Sequence, residues 1–566
     1  MKIRLRQIIW PSRPQPAQSK QIAHSRLVLA KVAVFFGFAL IGGKAMYLAT
    51  DPELRSTHAN ASKTQIERGA ILDRNGKLLA TTVPARILHA DPKLILDPFE
   101  TAEKLAPHLP KWSEERLLEK FAGKSRYIEL ERRLTPQRHR EILNLGLPGI
   151  AVKRSAARIY PNGNEAAHLL GTIDVDGKGI AGVEKQFNDK LAQGESIHLS
   201  IDIGVQGVVR HEIQKQIDEF EAIGGAGLVL DIKTGEIISM VSLPDFDPNH
   251  FGKAIDDARF NRATKGVFEM GSIFKVLNTA VALESGAVRL GQEFEVSKPL
   301  KVARFRIRDF HPYDRPLNIS EILVYSSNIG SARMAEAIGP ETQRAYMDKL
   351  GLLDRLSLEL PEVARPLIPR RWERIASMTI SYGHGLSVTP VHASAAIAAA
   401  AGDGIFRQPT LLKKSPDDTH LETRIFSEDT AKAVRSMMRL VVSHKDGTGN
   451  FADAPGYLVG GKTGTAEKIK DKGYDKKANM VSFVGAFPSH DPAYLLFIMV
   501  DEPKGQKQSY GYATAGWVAA PAMRRIVEKI APRLGVLPVD KDAPEISRNL
   551  ILDLRIGEEG DGHAAL

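Results

Sequence analysis

The sequence contains no cysteine among its 566 residues. This absence excludes disulfide bonds and metal sites with cysteine ligands, and exported bacterial proteins can fold without either. At this length we expect roughly three or four units of about 150 residues each. The 43% of hydrophobic and 25% of charged residues are typical of folded domains.

Acidic residues are absent from the first 26 positions, which carry six of the ten net positive charges (Lys2, Arg4, Arg6, Arg13, Lys20 and Arg26). The remaining 540 residues therefore carry a net charge of only +4. No basic patch interleaved with aromatic residues stands out elsewhere, so nucleic-acid binding is excluded as the function.

An apolar stretch follows the basic residues over positions 27–48, and only Lys31 and Lys44 interrupt it, near its ends. Its length fits one membrane crossing, and the charges before it predict a cytoplasmic N-terminus. A cleaved signal peptide is the alternative, but the stretch is long and no clear small-x-small site follows it closely. We expect an uncleaved, single-pass anchor, with the rest of the chain outside that membrane.

The chain after the anchor divides into two modules at a boundary near Gly194. We expect a cytoplasmic tail over 1–26, an anchor over 27–49, an elongated pedestal over 50–195, a larger domain over 196–535 and a C-terminal tail over 536–566. The pedestal shows an Asn75-Gly76 hairpin turn, a helical and charged region over 101–145, and no catalytic constellation. Its expected work is spacing and partner contact.

The larger domain has the pattern of an α+β fold. A strand over 199–202, a helix over 205–220 and a hairpin with strands 226–230 and 236–242 precede the apolar helix described below. This order predicts an antiparallel sheet flanked by helices. A last helix over 517–530 contains Pro521, which we expect in its first turn.

The first chemical motif is residues 269–275, with the sequence EMGSIFK, which open a helix that extends to Ser285. Nearly every residue from 273 to 283 is apolar; Lys275, Asn278 and Thr279 are the exceptions, and their spacing places them on one stripe with Ser272. A buried ammonium costs several kcal/mol unless it is paired or neutral, so a lysine beside this hydroxyl indicates an activated nucleophile. The alternative is a helix-capping serine and a lysine that reaches solvent.

The second motif is Ser326 and Asn328, in a loop between two predicted helices. Because these residues are two apart in the loop, both side chains can face a common cleft. The alternative is a helix-capping cluster, since serine and asparagine are favoured at that position.

The third motif is Lys462-Thr463-Gly464-Thr465, and residues 456–463 also fit the phosphate-loop pattern GxxxxGKT. A phosphate loop needs a buried strand before it and a helix that begins at its Lys-Thr, and neither is expected here. We interpret 457–465 as a strand that pairs with 480–487, beyond a long charged turn over 467–477, and then with 494–500. Lys462 and Gly464 would face one side of it, Thr463 and Thr465 the other. At a sheet edge it could dock an extended peptide.

The three motifs occur in this order, separated by 54 and 136 positions, and together they resemble the class B penicillin-binding proteins. Residues 68–76, 168–171, 182–184, 382–385 and 388–390 extend the resemblance, which reaches to about residue 531. The anchor, the length and residues 462–468 look most like the septal transpeptidases of cell division; the elongation transpeptidases are the alternative. Met270 and Ile273 replace the more common proline and threonine.

The resemblance implies a role for each motif residue. Ser272 would attack the penultimate D-alanine of a peptidoglycan stem peptide and form an acyl-enzyme, with Lys275 as base and Lys462 helping to keep it neutral. Ser326 would relay a proton, and Asn328 would bind substrate and orient Lys275. Thr463, Gly464 and Thr465 would bind substrate, with the terminal carboxylate on the two threonines, and the backbone N–H groups of Ser272 and Thr465 would form the oxyanion hole.

The resemblance also implies partners: peptidoglycan stem peptides, β-lactam antibiotics, a membrane-embedded septal glycosyltransferase and other divisome proteins. No nucleic acid, metal or organic cofactor is implied. A β-lactamase would share the motifs, although such enzymes are usually single domains without an anchor and pedestal. A non-catalytic divisome scaffold is another class of answer, but it would not require Ser272 and Lys275 in one buried helix.

Overall fold

The computed structural model describes residues 16–50, 67–302, 305–415, 422–470, 473–550 and 556. The first 15 residues of the basic tail and residues 551–555 and 557–566 of the C-terminal tail lie outside the described residues. The chain divides into two units, residues 1–66 and 67–566, and each is described by itself. The domain boundaries expected near residues 26, 49, 195 and 535 stay predictions.

The described part of the first unit is the helix Pro16–Thr50. Within the described residues, its segment Arg26–Tyr47 is the one helix long and apolar enough to cross a membrane. The apolar side chains of this segment are exposed rather than packed against protein. This helix fits a single-pass membrane anchor.

The second unit begins with a five-stranded sheet. Its strands are Ile71–Leu72, Leu78–Ala90, Ile128–Glu131, Ile150–Ile159 and Ile197–His198. The predicted Asn-Gly turn is confirmed: Ile71 pairs with Ala80, and Gly76 takes the positive φ of +80° that the turn requires. The second strand, Leu78–Ala90, is longer than expected because its residues 81–90 pair with the whole of the strand Ile150–Ile159.

Three helices cover this sheet, Pro98–Leu105, Glu114–Phe121 and Pro136–Asn144; the region predicted as helical over 101–145 is thus confirmed except at the strand Ile128–Glu131, which interrupts it. Asp97, Ser113 and Thr135 cap their N-termini through side-chain oxygens. Leu88 from the sheet packs with Leu105 of the first helix in the core.

Short elements connect this module to the larger one: Ala167–Leu170, Thr172–Ile173, Gly179–Ala181, Gly182–Gln186 and Asn188–Ala192. A buried ion cluster holds this region together. The fully buried carboxylate of Glu184 accepts hydrogen bonds from Arg68 Nε and from Arg158 Nε, each at 2.7 Å.

The larger module is built on a five-stranded, fully antiparallel sheet, which confirms the predicted α+β architecture. In spatial order its strands are Gly460–Lys470, Gly473–Phe487, Tyr494–Asp501, Gly224–Asp231 and Ile237–Leu243. The strand Gly460–Lys470 lies at one edge, and we call it the edge strand.

Both faces of the sheet are buried, and the strand Tyr494–Asp501 shows how. Leu496 and Ile498 join the core formed with helices Ile203–Glu219 and Ala515–Ile530. Leu495 and Phe497 point to the opposite face and join the main core. Successive side chains of a strand alternate between faces, so an unbroken apolar run is what a sheet covered on both sides requires.

The helices that carry the first two motifs and their neighbours lie on the opposite side of the sheet, where Pro390–Ala401 and Glu428–Ser443 pack directly on the strands. These helices are Phe274–Glu284, Ile319–Val324, Asn328–Ile338, Pro340–Lys349, Arg374–Ile380, Pro390–Ala401 and Glu428–Ser443. The first of them, here called the central helix, is buried on all sides, as its apolar sequence predicted.

Two predicted strands are wrong. The strand at the module boundary is Ile197–His198, not 199–202, and it pairs in parallel with Ile71–Leu72. The residues after it turn instead, because Asp202 caps the next helix by accepting from the backbone N–H of Gly204 and Val205. Residues 457–459 are not strand either.

Residues 455–457 form a turn, and Leu458, directly after it, has a φ of +43° and packs against Ile546 and Leu550. These two residues belong to the predicted C-terminal tail, whose helix Pro544–Asn549 is therefore docked at this point. The long charged turn predicted after the edge strand is also wrong: the strands continue as a hairpin, with Lys468 opposite Asp475 and a bulge at Glu467.

The helix predicted over 517–530 is Ala515–Ile530, which begins earlier than expected, so Pro521 lies in its interior and not in its first turn. The helix tolerates this proline because its long apolar face is buried in the sheet core, including Met523 and Ile526.

Candidate active site

Ser272 lies in a 3-10 turn, Gly271–Ile273, that leads directly into the central helix. We call this segment the nucleophile turn. Gly271 has a φ of +56°, and a Cβ there would lie 2.6 Å from the carbonyl oxygen of Thr465. Only glycine therefore allows the turn to lie against the edge strand. Ser272 is partly exposed, whereas Lys275 is fully buried.

The polar stripe predicted on the central helix faces the helix Asn328–Ile338. Asn278 donates through Nδ2 to the carbonyl oxygen of Ser331 at 3.1 Å. Thr279 is buried, and its hydroxyl has no hydrogen-bond partner in the described part of the chain. The stripe thus aligns the first motif with the helix that carries the second.

The Lys275 amine is the centre of the site, with four oxygen atoms around it. Its Nζ lies 3.0 Å from Ser272 Oγ, 3.0 Å from Ser326 Oγ, 2.6 Å from the Ser326 carbonyl oxygen and 2.8 Å from Asn328 Oδ1. The first two predicted motifs are therefore brought together at one nitrogen atom.

These four contacts indicate which protonation state can act. The Ser326 carbonyl and the Asn328 amide oxygen can only accept hydrogen bonds. A neutral amine has two N–H groups to donate to them, which leaves its lone pair for a serine hydroxyl. The amine is then able to accept the Ser272 proton as that oxygen attacks.

The electrostatic surroundings favour this neutral form. Burial, and then the positive charge of Lys462, lower the pKa of Lys275 well below its ordinary value, while the carboxylate of Asp309 raises it. The lowering contributions are larger, so the surroundings of Lys275 favour the neutral amine, which is the form that can accept a proton.

Ser326 has a left-handed backbone, with a φ of +61°. A residue with a side chain pays about 1–2 kcal/mol for this conformation. The conformation directs both the carbonyl oxygen and the hydroxyl of Ser326 at Lys275. Strain of this kind at a site indicates function, and no sequence pattern revealed it.

Lys462 is also fully buried, on the edge strand. Its Nζ donates to Thr463 Oγ1 at 3.1 Å and lies 3.4 Å from Thr448 Oγ1. Thr463 donates to the same Thr448 hydroxyl at 2.9 Å. Burial lowers the pKa of Lys462 to about 7, so its charge changes near neutral pH.

The edge strand lies against the nucleophile turn at Gly464. A Cβ there would lie 2.5 Å from Ser482 Oγ, 2.8 Å from the Met270 carbonyl oxygen and 2.9 Å from Ile273 Cγ2. The missing side chain therefore lets the protein's own segments approach, in addition to any peptide. Thr463 is buried and Thr465 is exposed.

The nucleophile turn is held from its other side by residues 383–385. Glu269 accepts a hydrogen bond from the Gly385 N–H at 2.8 Å and contacts His384 Nδ1 at 3.0 Å. The Gly271 N–H donates to the Gly383 carbonyl at 3.2 Å. These contacts show that residues 383–385 support the nucleophile turn. In the sequence, this segment was noted only as part of the family resemblance.

Sequence reasoning missed Asp309 and Thr448 as contributors to the site, and it gave no role to Glu269 although that residue begins the first motif. Asp309 accepts from the Ser327 hydroxyl and from two backbone N–H groups of the second motif. These residues lie in short strands or loops, where neither helical nor strand periodicity marks a functional position. The glycines around Thr448 were the one local signal of a tight turn.

The phosphate-loop alternative is wrong. Residues 460–470 form one continuous strand, so no helix begins at Lys462-Thr463 to offer its N-terminus to a phosphate. The alternative interpretation of residues 457–465 as a strand is confirmed from Gly460 onward.

Comparisons with known proteins agree with this geometry. A family model described as the penicillin-binding protein transpeptidase domain matches residues 225–528, and one described as the penicillin-binding protein dimerisation domain matches residues 63–220. The two regions span most of the chain after the anchor helix.

Similar curated proteins include a probable peptidoglycan D,D-transpeptidase FtsI of Caulobacter vibrioides, 39% identical over 526 residues that cover 90% of this chain and 89% of the relative. Peptidoglycan D,D-transpeptidase FtsI of Escherichia coli K12 is 29% identical, covering 87% of each chain. Stage V sporulation protein D of Bacillus subtilis is 31% identical, covering 83% of this chain and 79% of that protein.

A solved structure of penicillin-binding protein 3 from Mycobacterium tuberculosis, complexed with aztreonam, matches with a TM-score of 0.67 at 25% identity. The match covers 84% of this chain and 98% of that one. A complex of the same protein with ampicillin matches with a TM-score of 0.68, covering 87% of this chain and 99% of that one.

Proposed function

The chain belongs to the class B penicillin-binding proteins of the FtsI-like group, and we propose that it is the peptidoglycan D,D-transpeptidase that cross-links stem peptides during septal wall synthesis. The observation that carries the proposal is the 3.0 Å approach of Lys275 Nζ to Ser272 Oγ, at a buried amine whose other partners are Ser326 and Asn328. That arrangement supports acyl transfer through a serine ester.

In the first half-reaction, Ser272 Oγ bonds to the carbonyl carbon of the penultimate D-alanine while Lys275 takes the hydroxyl proton. The C–N bond to the last D-alanine then breaks, and the leaving amine receives a proton through Ser326. The backbone N–H groups of Ser272 and Thr465 stabilise the negative oxygen that forms between these steps.

In the second half-reaction, an amine of a neighbouring stem peptide attacks the ester carbonyl, loses a proton to the base, and releases Ser272 as a hydroxyl. Asn328 contributes its amide to substrate binding and keeps its oxygen on Lys275. Thr463 and Thr465 hold the terminal carboxylate of the donor peptide, which pairs along the edge strand beside Gly464. Lys462 supplies positive charge next to Lys275.

The same site explains β-lactam sensitivity. The mycobacterial relative was solved with aztreonam and with ampicillin. A β-lactam presents a strained amide where the D-alanyl peptide bond would lie, and its opened ring stays attached to the serine. We therefore expect penicillins to acylate Ser272.

The septal role, the partners and the orientation complete the proposal. The six positive charges before the anchor favour a cytoplasmic N-terminus, which places residues 67–566 in the periplasm. A membrane-embedded septal glycosyltransferase and other divisome proteins are the expected partners, with the pedestal as their contact surface.

The alternative to the septal role is that of an elongation transpeptidase. Midcell position of a fluorescent fusion, and filaments after depletion, support the septal role; uniform side-wall position contradicts it.

The test of the chemistry is covalent labelling by a fluorescent penicillin. Ser272→Ala should abolish labelling while the thermal unfolding midpoint stays close to that of the wild type. Ser285→Ala is the matched control, because Ser285 lies at the end of the same helix and only donates to the Val281 carbonyl at 2.7 Å and to Ala282. Labelling that survives in the first variant would contradict the proposal, and rapid hydrolysis of the bound penicillin would favour a β-lactamase.

A further inference from the structure

Asp309 follows the short strand Phe305–Ile307 and belongs to none of the three motifs, yet its carboxylate is bound to the second one. Oδ2 accepts from the Ser327 hydroxyl at 2.7 Å. Oδ1 accepts from the backbone N–H of Asn328 at 2.5 Å and from that of Ile329 at 2.9 Å. One carboxylate therefore satisfies three donors in consecutive residues.

These three donors fix the start of the helix Asn328–Ile338. The first N–H groups of a helix have no partner within it, and an anion there is favoured by the helix dipole. Ser327 Oγ, held by Asp309, itself accepts from the Gly330 N–H at 2.9 Å. The residue before this cap is Ser326, whose left-handed backbone aims its oxygens at Lys275.

The residue before Asp309 orients the Asn328 side chain. The Arg308 carbonyl accepts from Asn328 Nδ2 at 3.2 Å. Because the nitrogen of the amide is held there, its oxygen faces Lys275 Nζ at 2.8 Å. Residues 308–309 thus determine how both members of the second motif meet the amine.

Resting on the proposed function, we infer that Asp309 is a positioning residue for acyl transfer: its carboxylate holds residues 326–329 in the geometry that Lys275 requires, and its negative charge acts on the same amine. The hydrogen bonds of Asp309 go to Ser327, Asn328 and Ile329 and not to the reacting Ser272. It acts through Ser326, Asn328 and Lys275.

The negative charge of Asp309 shifts the pKa of Lys275 in a direction that an experiment can measure. Among the described residues, Lys462 and Asp309 are the charged groups that act on Lys275; Lys462 lowers its pKa, and Asp309 raises it. Acylation requires the neutral amine of Lys275. The acylation rate therefore rises with pH, and the pKa of Lys275 sets the position of this rising limb of the pH–rate profile. Removal of the Asp309 charge should move that limb to lower pH, whereas mere disorder of the loop would lower the rate without moving it.

The experiment measures acylation of the full-length protein in detergent by a fluorescent penicillin across pH. Asp309→Asn keeps the shape and removes the charge, so we expect the limb to move to lower pH. Asp309→Ala also removes the contacts, so the plateau rate should fall by about 10-fold to 100-fold, as expected for misplaced catalytic groups. Asp309→Glu keeps the charge, so its rate should fall while its limb stays in place.

The matched control is Asp97→Asn. Asp97 caps the helix Pro98–Leu105 in the N-terminal module through two backbone N–H groups, so its loss weakens a cap without touching the site. Its plateau and limb should equal those of the wild type. If Asp309→Ala does not fold, the limb position of Asp309→Asn and the plateau rate of Asp309→Glu still test the inference.

The inference is overturned if Asp309→Asn leaves the limb in place, or if the plateau rates of Asp309→Ala and Asp309→Glu equal that of the wild type. Failure of the proposed function would look different, because the wild-type protein itself would then not be acylated.

Discussion

Ser272 and Lys275 lie one helical turn apart, and their reactive atoms are 3.0 Å from each other. The hydroxyl is partly exposed, whereas the amine is fully buried. The nucleophile can therefore meet a substrate while its base stays shielded from water. This separation is what lets the amine remain neutral beside a nucleophile that solvent can reach.

The first prediction concerns the base. Lys275→Met removes the amine and keeps an apolar side chain of similar length in the buried site, so the fold should persist. We expect acylation by fluorescent penicillin to slow by at least roughly 100-fold, the usual loss when a general base is removed. Stopped-flow or quenched-time labelling gives the rate. Lys349→Met, on an exposed helix surface, should leave it unchanged, and a near-normal rate in the first variant would remove Lys275 from this role.

The second prediction concerns pH and stability. Burial lowers the pKa of Lys462 to about 7, against about 10.4 in an unfolded chain. Between these values the unfolded state binds one more proton than the folded state, so the free energy of unfolding rises with pH by about 1.4 kcal/mol per unit. Below pH 7 both states are protonated and the contribution of this lysine is constant.

Lys462→Met has no amine to titrate at this position. The measurement therefore compares the free energy of unfolding of this variant with that of the wild type across pH. Its stability advantage over the wild type should shrink by up to about 3 kcal/mol between pH 7 and pH 9. Urea unfolding in detergent, followed by tryptophan fluorescence, gives both curves. A difference that does not depend on pH in this range would mean that the folded protein keeps Lys462 protonated throughout.

The third prediction concerns the contact between the edge strand and the nucleophile turn. Gly464→Ala would place a methyl group 2.5 Å from Ser482 Oγ and 2.8 Å from the Met270 carbonyl oxygen. We expect a loss of about 1–3 kcal/mol in the free energy of unfolding, as for other overpacked sites, together with slower acylation because the strand moves away from Ser272.

Gly473→Ala is the control, since a Cβ at this exposed end of the same hairpin meets nothing within 4 Å. Adding Ser482→Gly to Gly464→Ala removes the closest of the contacts and should recover part of the stability. Equal stability of the Gly464 and Gly473 variants would show that the turn and strand are less tightly packed than the structure indicates.

The sequence predicted those features of the fold and site that depend on short-range patterns. The buried central helix, the Asn-Gly turn at Gly76 and the two apolar strands after the edge strand all follow from periodicity or turn chemistry. The motif residues around Lys275 were predicted by residue type, and the structure brings Ser272, Ser326 and Asn328 to that amine.

The features it did not predict depend on partners far away in the chain. Leu458 looked like strand, but it turns to meet Ile546 and Leu550 of the C-terminal segment. Asp309 contacts residues 18 to 20 positions later, from a loop whose composition is ordinary. Pro521 is accepted inside a helix because burial of that helix outweighs the lost hydrogen bond. No local pattern contains these contacts.

The last prediction concerns the buried ion cluster at the junction of the two modules. Glu184 is fully buried and pairs with Arg68 and Arg158, whose side chains are 8% and 1% exposed. Glu184→Ala would leave two guanidinium groups buried without their carboxylate, so we expect the free energy of unfolding to fall by about 3–5 kcal/mol. Glu184→Gln keeps the shape but not the charge, and should lie between this variant and the wild type.

The control for this prediction is Glu100→Ala, which removes one partner of the exposed Lys104–Glu100 pair. Exposed pairs of this kind contribute about 0–1 kcal/mol, so its thermal unfolding midpoint should barely change. The fraction of Glu184→Ala that remains folded should still be acylated at the wild-type rate, because the cluster does not contact Ser272 or Lys275. A loss of stability no larger than that of the control would mean that water reaches the two arginines once the carboxylate is gone.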